Sequence, residues 1–398
     1  SGLYLLARLS PLVLSAPAIM AVIAIVGATT AIVAATIAIT QNDIKKVLAY
    51  STVSQLGYMF VAAGVGAFFV AIFHVMTHAF FKGCLFLGSG SVIHGMHEVE
   101  HELEHDGHGH HLDPQDMRTM GGLKQFMPST RMTYLIATLA ISGIPLLAGF
   151  FSKDEILFKA FEASHGFDAA GFAWVVGLIT AFLTAVYMTR SYILTFEGEP
   201  RWPHADTIKP HESPWQMTVP LWVLAGLSIV GGYIGLPGVI AHGDWNWIHH
   251  FLGAEYGGPV AEAAVEGHVS LGVEWGLIAL GSLIAIVGVA LAWRWFSSAG
   301  IAFDERIEAR FGSLYRFWQG KYYFDEAYDK VIVRPIIDGS ERGLSPFDKY
   351  VVDGLVNGVA FFWRGVSFVM RYVQTGLVQS YAAAIVLGVV LIIWLMLS

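Results

Sequence analysis

Three ionisable side chains sit where a bilayer would have to accept them. The stretch at residues 67–94, AFFVAIFHVMTHAFFKGCLFLGSGSVIH, is apolar and long enough to cross a membrane, yet it carries His74, His78 and Lys82 in its middle. Residues four apart project from the same helical face, each step rising roughly 6 Å along the axis. That spacing is too long for direct hydrogen bonds and suits a file of side chains bridged by water, along which protons can hop. A Lys at the centre of a membrane helix costs about 2.5–3.5 kcal/mol on insertion scales, so such a group is expected where it pairs or lines a wet path. The plain alternative is a buried polar cluster that only ties helices together. A second position of this kind follows the apolar run 132–151, which is interrupted by Gly143, Pro145 and Gly149 and then meets Lys153, Asp154 and Glu155. Proline removes a backbone donor and breaks the helix, and broken membrane helices are tolerated where the loosened backbone faces protein or water. Lys153 and Asp154 are therefore candidates for a second site on the same path; ordinary interfacial charges at a helix end are the alternative.

The elements that must position these residues are helices. Of 398 residues, 55% are hydrophobic and only 14% charged, with a mean hydropathy of +0.58, which predicts an all-α, polytopic transmembrane bundle. We expect about eight spans after a stub at residues 1–8: 16–40, 47–65, the His-His-Lys helix, the discontinuous helix around Pro145, then 171–196, 215–236, 273–295 and 376–397. The second of these contains Tyr50, Ser51, Thr52, Ser54, Gln55 and Tyr58, too polar to face lipid, so it should pack inside. Residues 346–374 are strongly amphipathic, with Lys349, Asp353, Asn357, Arg364 and Arg371 on one face, and predict a helix lying laterally along an interface or along other helices. The organisation expected is a core with the proton-path helices at 1–163, peripheral helices at 164–300, a connection and lateral helix at 301–375, and an anchor at 376–398. Lys45, Lys46, Arg118, Lys124, Arg131, Arg201 and the basic residues between 306 and 334 fall on one side, which places that side in the cytoplasm or mitochondrial matrix.

Other chemistries find little support. The single cysteine, Cys84, excludes an internal disulfide and a cysteine-held metal or iron–sulfur site, and no dinucleotide or P-loop fingerprint is present. A net charge of −8 without a basic run gives no nucleic-acid partner. Between His94 and Asp113 lie His97, His101, His105, His108, His110 and His111 among acidic residues. His97, His101 and His105 repeat every four positions and could present imidazoles to zinc, nickel or copper, although a solvated polar insertion is the simpler account.

Five blocks carry a resemblance: DIKKVLAYSTVSQLGYMF (43–60), FHVMTHAFFKGCLFLGSGSVIH (73–94), MGGL (120–123), AGFFSKDEIL (148–157) and YYFDEAYDKVIVRP (322–335). In that order they resemble the distal antiporter-like subunits of respiratory complex I, the subunit L family of NADH:quinone oxidoreductases. The resemblance implies that His74 and His78 match relay histidines, that Lys82 follows one turn on, that Lys153 matches the lysine of the broken helix, and that Asp154 modulates it. It implies further that the chain is a proton-translocating subunit of an NADH:quinone oxidoreductase with no cofactor of its own, FMN, iron–sulfur clusters and quinone belonging to other subunits. Neighbouring antiporter-like subunits and the lipid bilayer are the partners implied, with the amphipathic tail bracing them, and a bacterial cytoplasmic membrane is favoured over the mitochondrial inner membrane. The family's first half, which carries a glutamate–lysine pair, has no counterpart here, so the chain is expected to be a fragment holding the outward half of a proton path. A multisubunit cation/proton antiporter subunit and a non-transporting membrane scaffold remain the alternatives.

Overall fold

The computed structural model describes residues 1–105, 112–236, 246–253 and 270–398. Among the described residues there is no strand, only an isolated bridge between Asp43 and Asp116, and the architecture is a helical membrane bundle. The chain divides into two compact units, Ser1–Tyr322 and Tyr323–Ser398.

The first unit opens with two short helices, α1 (Gly2–Arg8) and α2 (Ser10–Leu14), and continues through α3 (Pro17–Thr40), α4 (Ile44–Gly64), α5 (Phe68–His105), α6 (Pro128–Ser142), α7 (Ala148–Ala163), α8 (Asp168–Phe196), α9 (Trp215–Val230), α10 (Trp247–Gly253), α11 (Leu271–Ala299) and α12 (Ile301–Gln319). α3 has no charge, and its 24 residues rise about 36 Å, enough for the hydrocarbon layer. α4 starts three residues before the span expected at 47–65, because the Asp43 side chain caps it, accepting hydrogen bonds from the backbone N–H groups of Lys45 and Lys46. The two helices touch backbone to backbone through small residues. A Cβ at Gly57 would lie 2.6 Å from the carbonyl oxygen of Gly27, and Ala31 sits against the same spot. This contact draws the polar face of α4, with its Ser51, Ser54 and Gln55, into the interior, as its polarity predicts, while Val53 and Leu56 on another face are exposed.

Among the described residues, six helices are long and apolar enough to cross a membrane: Pro17–Thr40, Phe68–Glu104, Asp168–Phe196, Trp215–Gly235, Leu271–Ser298 and Val378–Leu397. The other expected spans are the polar α4 and the interrupted α6–α7 pair. α5 runs further than expected. Instead of ending near His94, it continues to His105, about 57 Å in all, so its last turns rise beyond the hydrocarbon layer. Salt bridges support that extension: His97 Nδ1 lies 2.9 Å from Glu100, and Glu98 lies 2.7 Å from His211.

At the basic side of the bundle, buried Arg190 on α8 donates to Asp304 on α12, to the Gln41 carbonyl (2.7 Å) and to Asn42 Oδ1 (2.8 Å). This one guanidinium fastens the α3–α4 turn to α8 and α12. Just past α8, Glu197 receives Lys124 (2.7 Å) and Arg131 (3.2 Å). Burial pushes the Glu197 carboxyl up, but hydrogen bonds from Lys124 and Tyr192 and the charges of Lys124 and Arg131 outweigh it and hold it below the usual carboxylate range.

The second unit is a long helical track, α13 (Phe324–Tyr328), α14 (Arg334–Gly339), α15 (Ser345–Phe347) and α16 (Asp353–Val373), joined by π-helical turns at Asp329–Val333, Ser340–Leu344 and Asp348–Val352. The first two π turns end with one residue left before Pro335 and Pro346, which cannot donate to an α-helical ladder. The third has no such cause that we can identify. Helical structure therefore begins earlier than residue 346, and the track rises about 75 Å. A turn at Gly376 leads into α17 (Val378–Leu397), an apolar helix exposed on all sides within its unit.

Two outcomes are expected. Replacing Gly57 by Val should force α3 and α4 apart at a cost of about 1–3 kcal/mol or more, read as loss of assembled protein on native gels and a lower melting temperature. Because the folded-state Glu197 carboxyl is depressed, its stabilisation is present above the ordinary carboxylate pKa of about 4.5 and is lost as pH falls through the lower folded value. Glu197→Gln should lower the melting temperature at neutral pH and flatten its dependence on pH below that point.

Candidate functional site

The site is built where α5 crosses the gap between α6 and α7. Gly143, with φ of +83°, terminates α6 in the left-handed conformation that glycine adopts freely. Pro145 follows, and α7 restarts at Ala148. Gly149 meets the Ala140 carbonyl so closely that any side chain there would collide with it, so the two half-helices overlap rather than merely follow one another.

That break delivers Ser152 and Lys153 to the interior. Lys153 is 3% exposed; its ammonium donates to the carbonyl of Ile141 (3.4 Å) and lies 5.0 Å from the centre of the Tyr58 ring. Ile141 is in the last turn of α6, where carbonyls have no partner within the helix and carry the negative end of its dipole. Ser152 Oγ is 2.9 Å from His74 Nδ1 and 2.7 Å from Thr77 Oγ1. On the other side of the imidazole, His74 Nε2 is 3.2 Å from Gln55 Oε1. The Tyr187 hydroxyl donates to Ser51 (3.0 Å) and lies among Ser54, Gln55 and Thr184. A connected set of hydroxyl, amide and imidazole groups thus runs from α7 through His74 into α4 and α8.

The expected stripe on α5 is present. His74 is fully buried and His78 half-buried, with their ring centres 6.1 Å apart, and Phe81 packs on both. His78 Nε2 is buried and has no hydrogen-bond partner among the described residues. Lys82, 4% exposed, donates to the carbonyl of Leu48 on α4 (2.9 Å) and lies 5.7 Å from the Phe86 ring centre. The histidines make no direct contact with Lys82, in keeping with the roughly 6 Å step. Asp154 turns toward α11, where Gly281 leaves room for its carboxylate; Asp154 Oδ2 is buried without a partner among the described residues.

The structure therefore brings His74 to the broken helix through Ser152, with Lys82 and Lys153 each resting on a carbonyl. Ser152, Thr77, Gln55 and Tyr187 were not singled out from sequence. The polarity of α4 pointed toward Gln55, and Ser152 is adjacent to Lys153, but nothing marked Tyr187 in its apolar span. Such an arrangement can hold a proton, pass it between nitrogen and oxygen atoms, and reorient. Four basic side chains gathered in one buried region repel one another when charged, so the set favours sharing few protons over holding one on every base.

The described part of the histidine-rich segment forms no such assembly. Among the described residues no group of three His, Cys, Asp or Glu side chains could hold a metal ion, and His97 contacts Glu100. The side chain of His105, together with His108, His110 and His111, lies outside the described residues, as does most of the connection at 241–270.

Since a glutamine carbonyl oxygen only accepts, His74 must donate from Nε2 and, when uncharged, accept from Ser152 at Nδ1. Selective ¹⁵N labelling and solid-state NMR should show the Nε2–H tautomer. Ser152→Ala should shift the Nδ1 resonance by removing its partner; an Nδ1–H tautomer in the parent protein would contradict this assignment.

A family model described as "NADH:quinone oxidoreductase/Mrp antiporter, TM" matches residues 1–184, which include Gln55, His74, His78, Lys82, Ser152 and Lys153 but not Tyr187. NAD(P)H-quinone oxidoreductase chain 5 of Picosynechococcus is 43% identical over 98% of this chain and 58% of its own length. NADH-quinone oxidoreductase subunit L of Neisseria meningitidis is 37% identical over 99% of this chain and 58% of its own length. This chain thus spans a little over half the length of these curated relatives. Among solved structures, the Mrp complex from Dietzia shares the fold with a TM-score of 0.51 and 24% identity, over 73% of this chain and 29% of that one. Buried basic residues on a broken-helix scaffold and this agreement along nearly the whole chain point the same way: the chain is an integral membrane protein similar to the antiporter-like subunits of the NADH:quinone oxidoreductases.

Proposed function

We propose that this chain carries the outward half of a proton path in a proton-translocating NADH:quinone oxidoreductase. The observation that carries the reading is the His74–Ser152 hydrogen bond (2.9 Å), which joins the α5 stripe to the residue next to Lys153. A proton arriving at Lys82 passes to His78 across a water-bridged step, then to His74. It crosses through the Ser152 hydroxyl, which accepts on oxygen as it releases its own hydrogen, and reaches Lys153. Asp154 beside Lys153 modulates the charge there. Each cation rests on a carbonyl or an aromatic face, which lowers the cost of charge in a dry interior without fixing it as a tight ion pair would.

In this reading the bundle has about eight spans, the six long apolar helices together with α4 and the α6–α7 pair. The helix that ends at Val373 lies laterally against neighbouring antiporter-like subunits, with α17 as its anchor. The redox cofactors FMN, iron–sulfur clusters and quinone belong to other subunits, and the membrane is the bacterial cytoplasmic membrane. Lys124, Arg131 and the Arg190 cluster are on its cytoplasmic side.

The test uses the full-length subunit in its assembled complex. Lys153→Met and Lys82→Met should each reduce NADH-driven proton translocation in membrane vesicles several-fold while the complex still assembles. Translocation at the parental rate in both would overturn the relay and favour a scaffold. A strict requirement for sodium would favour a cation/proton antiporter instead.

A further inference from the structure

Beyond Lys153, α7 continues toward the side opposite the basic loops, and its next turns carry Asp154, Glu155, Lys159 and Glu162. Two of these are already joined: Lys159 donates to Glu162 at 2.8 Å. Glu155 is different. Its Oε2 is buried and has no hydrogen-bond partner among the described residues. Its charged neighbours are Lys159, one turn on, and Glu274 in the first turn of α11. Asp154 Oδ2 is orphaned in the same way, and the Asp154 carboxylate lines a narrow cleft between α7, α8 and α11, where Gly281 leaves it room. A buried carboxylate oxygen with no donor is costly, and the cost is relieved when the group takes up a proton. The cleft has one wall, α11, outside the residues that the family model matches.

We propose that Glu155 is the last buried proton carrier of this chain, receiving the proton that leaves Lys153 and handing it to water beside Glu274. This rests on the proton-translocating reading above. In the first step an N–H bond of the Lys153 ammonium breaks and an O–H bond forms on Glu155, the proton relayed through Asp154 and a chain of water molecules because residues two apart on a helix do not face each other, leaving a neutral amine and a neutral carboxyl. In the second, the Glu155 O–H bond breaks and the proton joins a water molecule, restoring the carboxylate. Lys153 is then recharged from His74 through Ser152. No atom changes oxidation state. Glu274, at the start of α11, attracts the departing proton, and the Lys159–Glu162 pair holds the local charge near balance.

The experiment compares Glu155→Gln, Glu155→Asp and Lys153→Met in the full-length subunit of the assembled complex, measuring NADH-driven proton translocation and the infrared carbonyl band of protonated carboxyl groups. Glu155→Gln keeps the shape but cannot exchange a proton as a carboxyl does; it should lose several-fold in translocation and lack one carbonyl component, while Glu155→Asp should recover most of the flux with that component shifted. Full flux in Glu155→Gln beside a defective Lys153→Met would overturn this proposal alone. Full flux in both would overturn the relay as well. Equal loss in Gln and Asp variants of an assembled complex would assign Glu155 a structural role and also overturn it. Should Glu155→Gln fail to assemble, the infrared shift in Glu155→Asp decides: an unshifted band overturns the proposal.

Discussion

The break between α6 and α7 is the feature on which the rest depends. An unbroken helix would satisfy its own carbonyls and leave a buried lysine with nothing to rest on. Interrupted at Gly143 and Pro145, α6 ends in mid-bundle with an unsatisfied last turn, and the Ile141 carbonyl takes the Lys153 ammonium. The overlap enforced at Gly149 then fixes Ser152 against α5, so that one local interruption positions both the cation and the hydroxyl beside it.

The interior shows two ways of holding positive charge in a low-dielectric medium. Arg190 is saturated: a carboxylate, a carbonyl and an amide oxygen occupy its fork, and it fastens three elements together. Lys82 and Lys153 are under-satisfied, each with one carbonyl and an aromatic face. A saturated guanidinium is a rivet, since it does not lose its proton in proteins. A lysine with a single weak acceptor can give its proton up and regain it. The contrast separates the arginine at the basic side of the bundle from the two lysines buried beside the histidines.

Much of this was legible in the sequence because membrane helices follow composition and period. The four-residue spacing of His74, His78 and Lys82, the interruption at Pro145 and the interior polarity of α4 all have local causes. Ser152 and Tyr187 did not stand out, because a lone hydroxyl in an apolar helix looks the same whether it bonds its own preceding turn or a neighbouring imidazole; only the packing of α4, α5, α7 and α8 decides. The continuation of α5 past His94 was likewise hidden, since its Glu and His residues read as a polar loop until Glu98 meets His211 from a distant segment. The π turns of the second unit depend on how proline is absorbed into a long helix, and no period announces them.

The account turns on whether the buried bases are joined by water. The most direct measurement is a map of the assembled complex at a resolution that shows ordered solvent around α5 and α7. Water molecules between Lys82 and the unpartnered Nε2 of His78, and from Lys153 along α7 past Glu155 to the outer face, are the predicted result. Dry, close-packed side chains between these groups, with no hydrated connection on either side of His74, would contradict it.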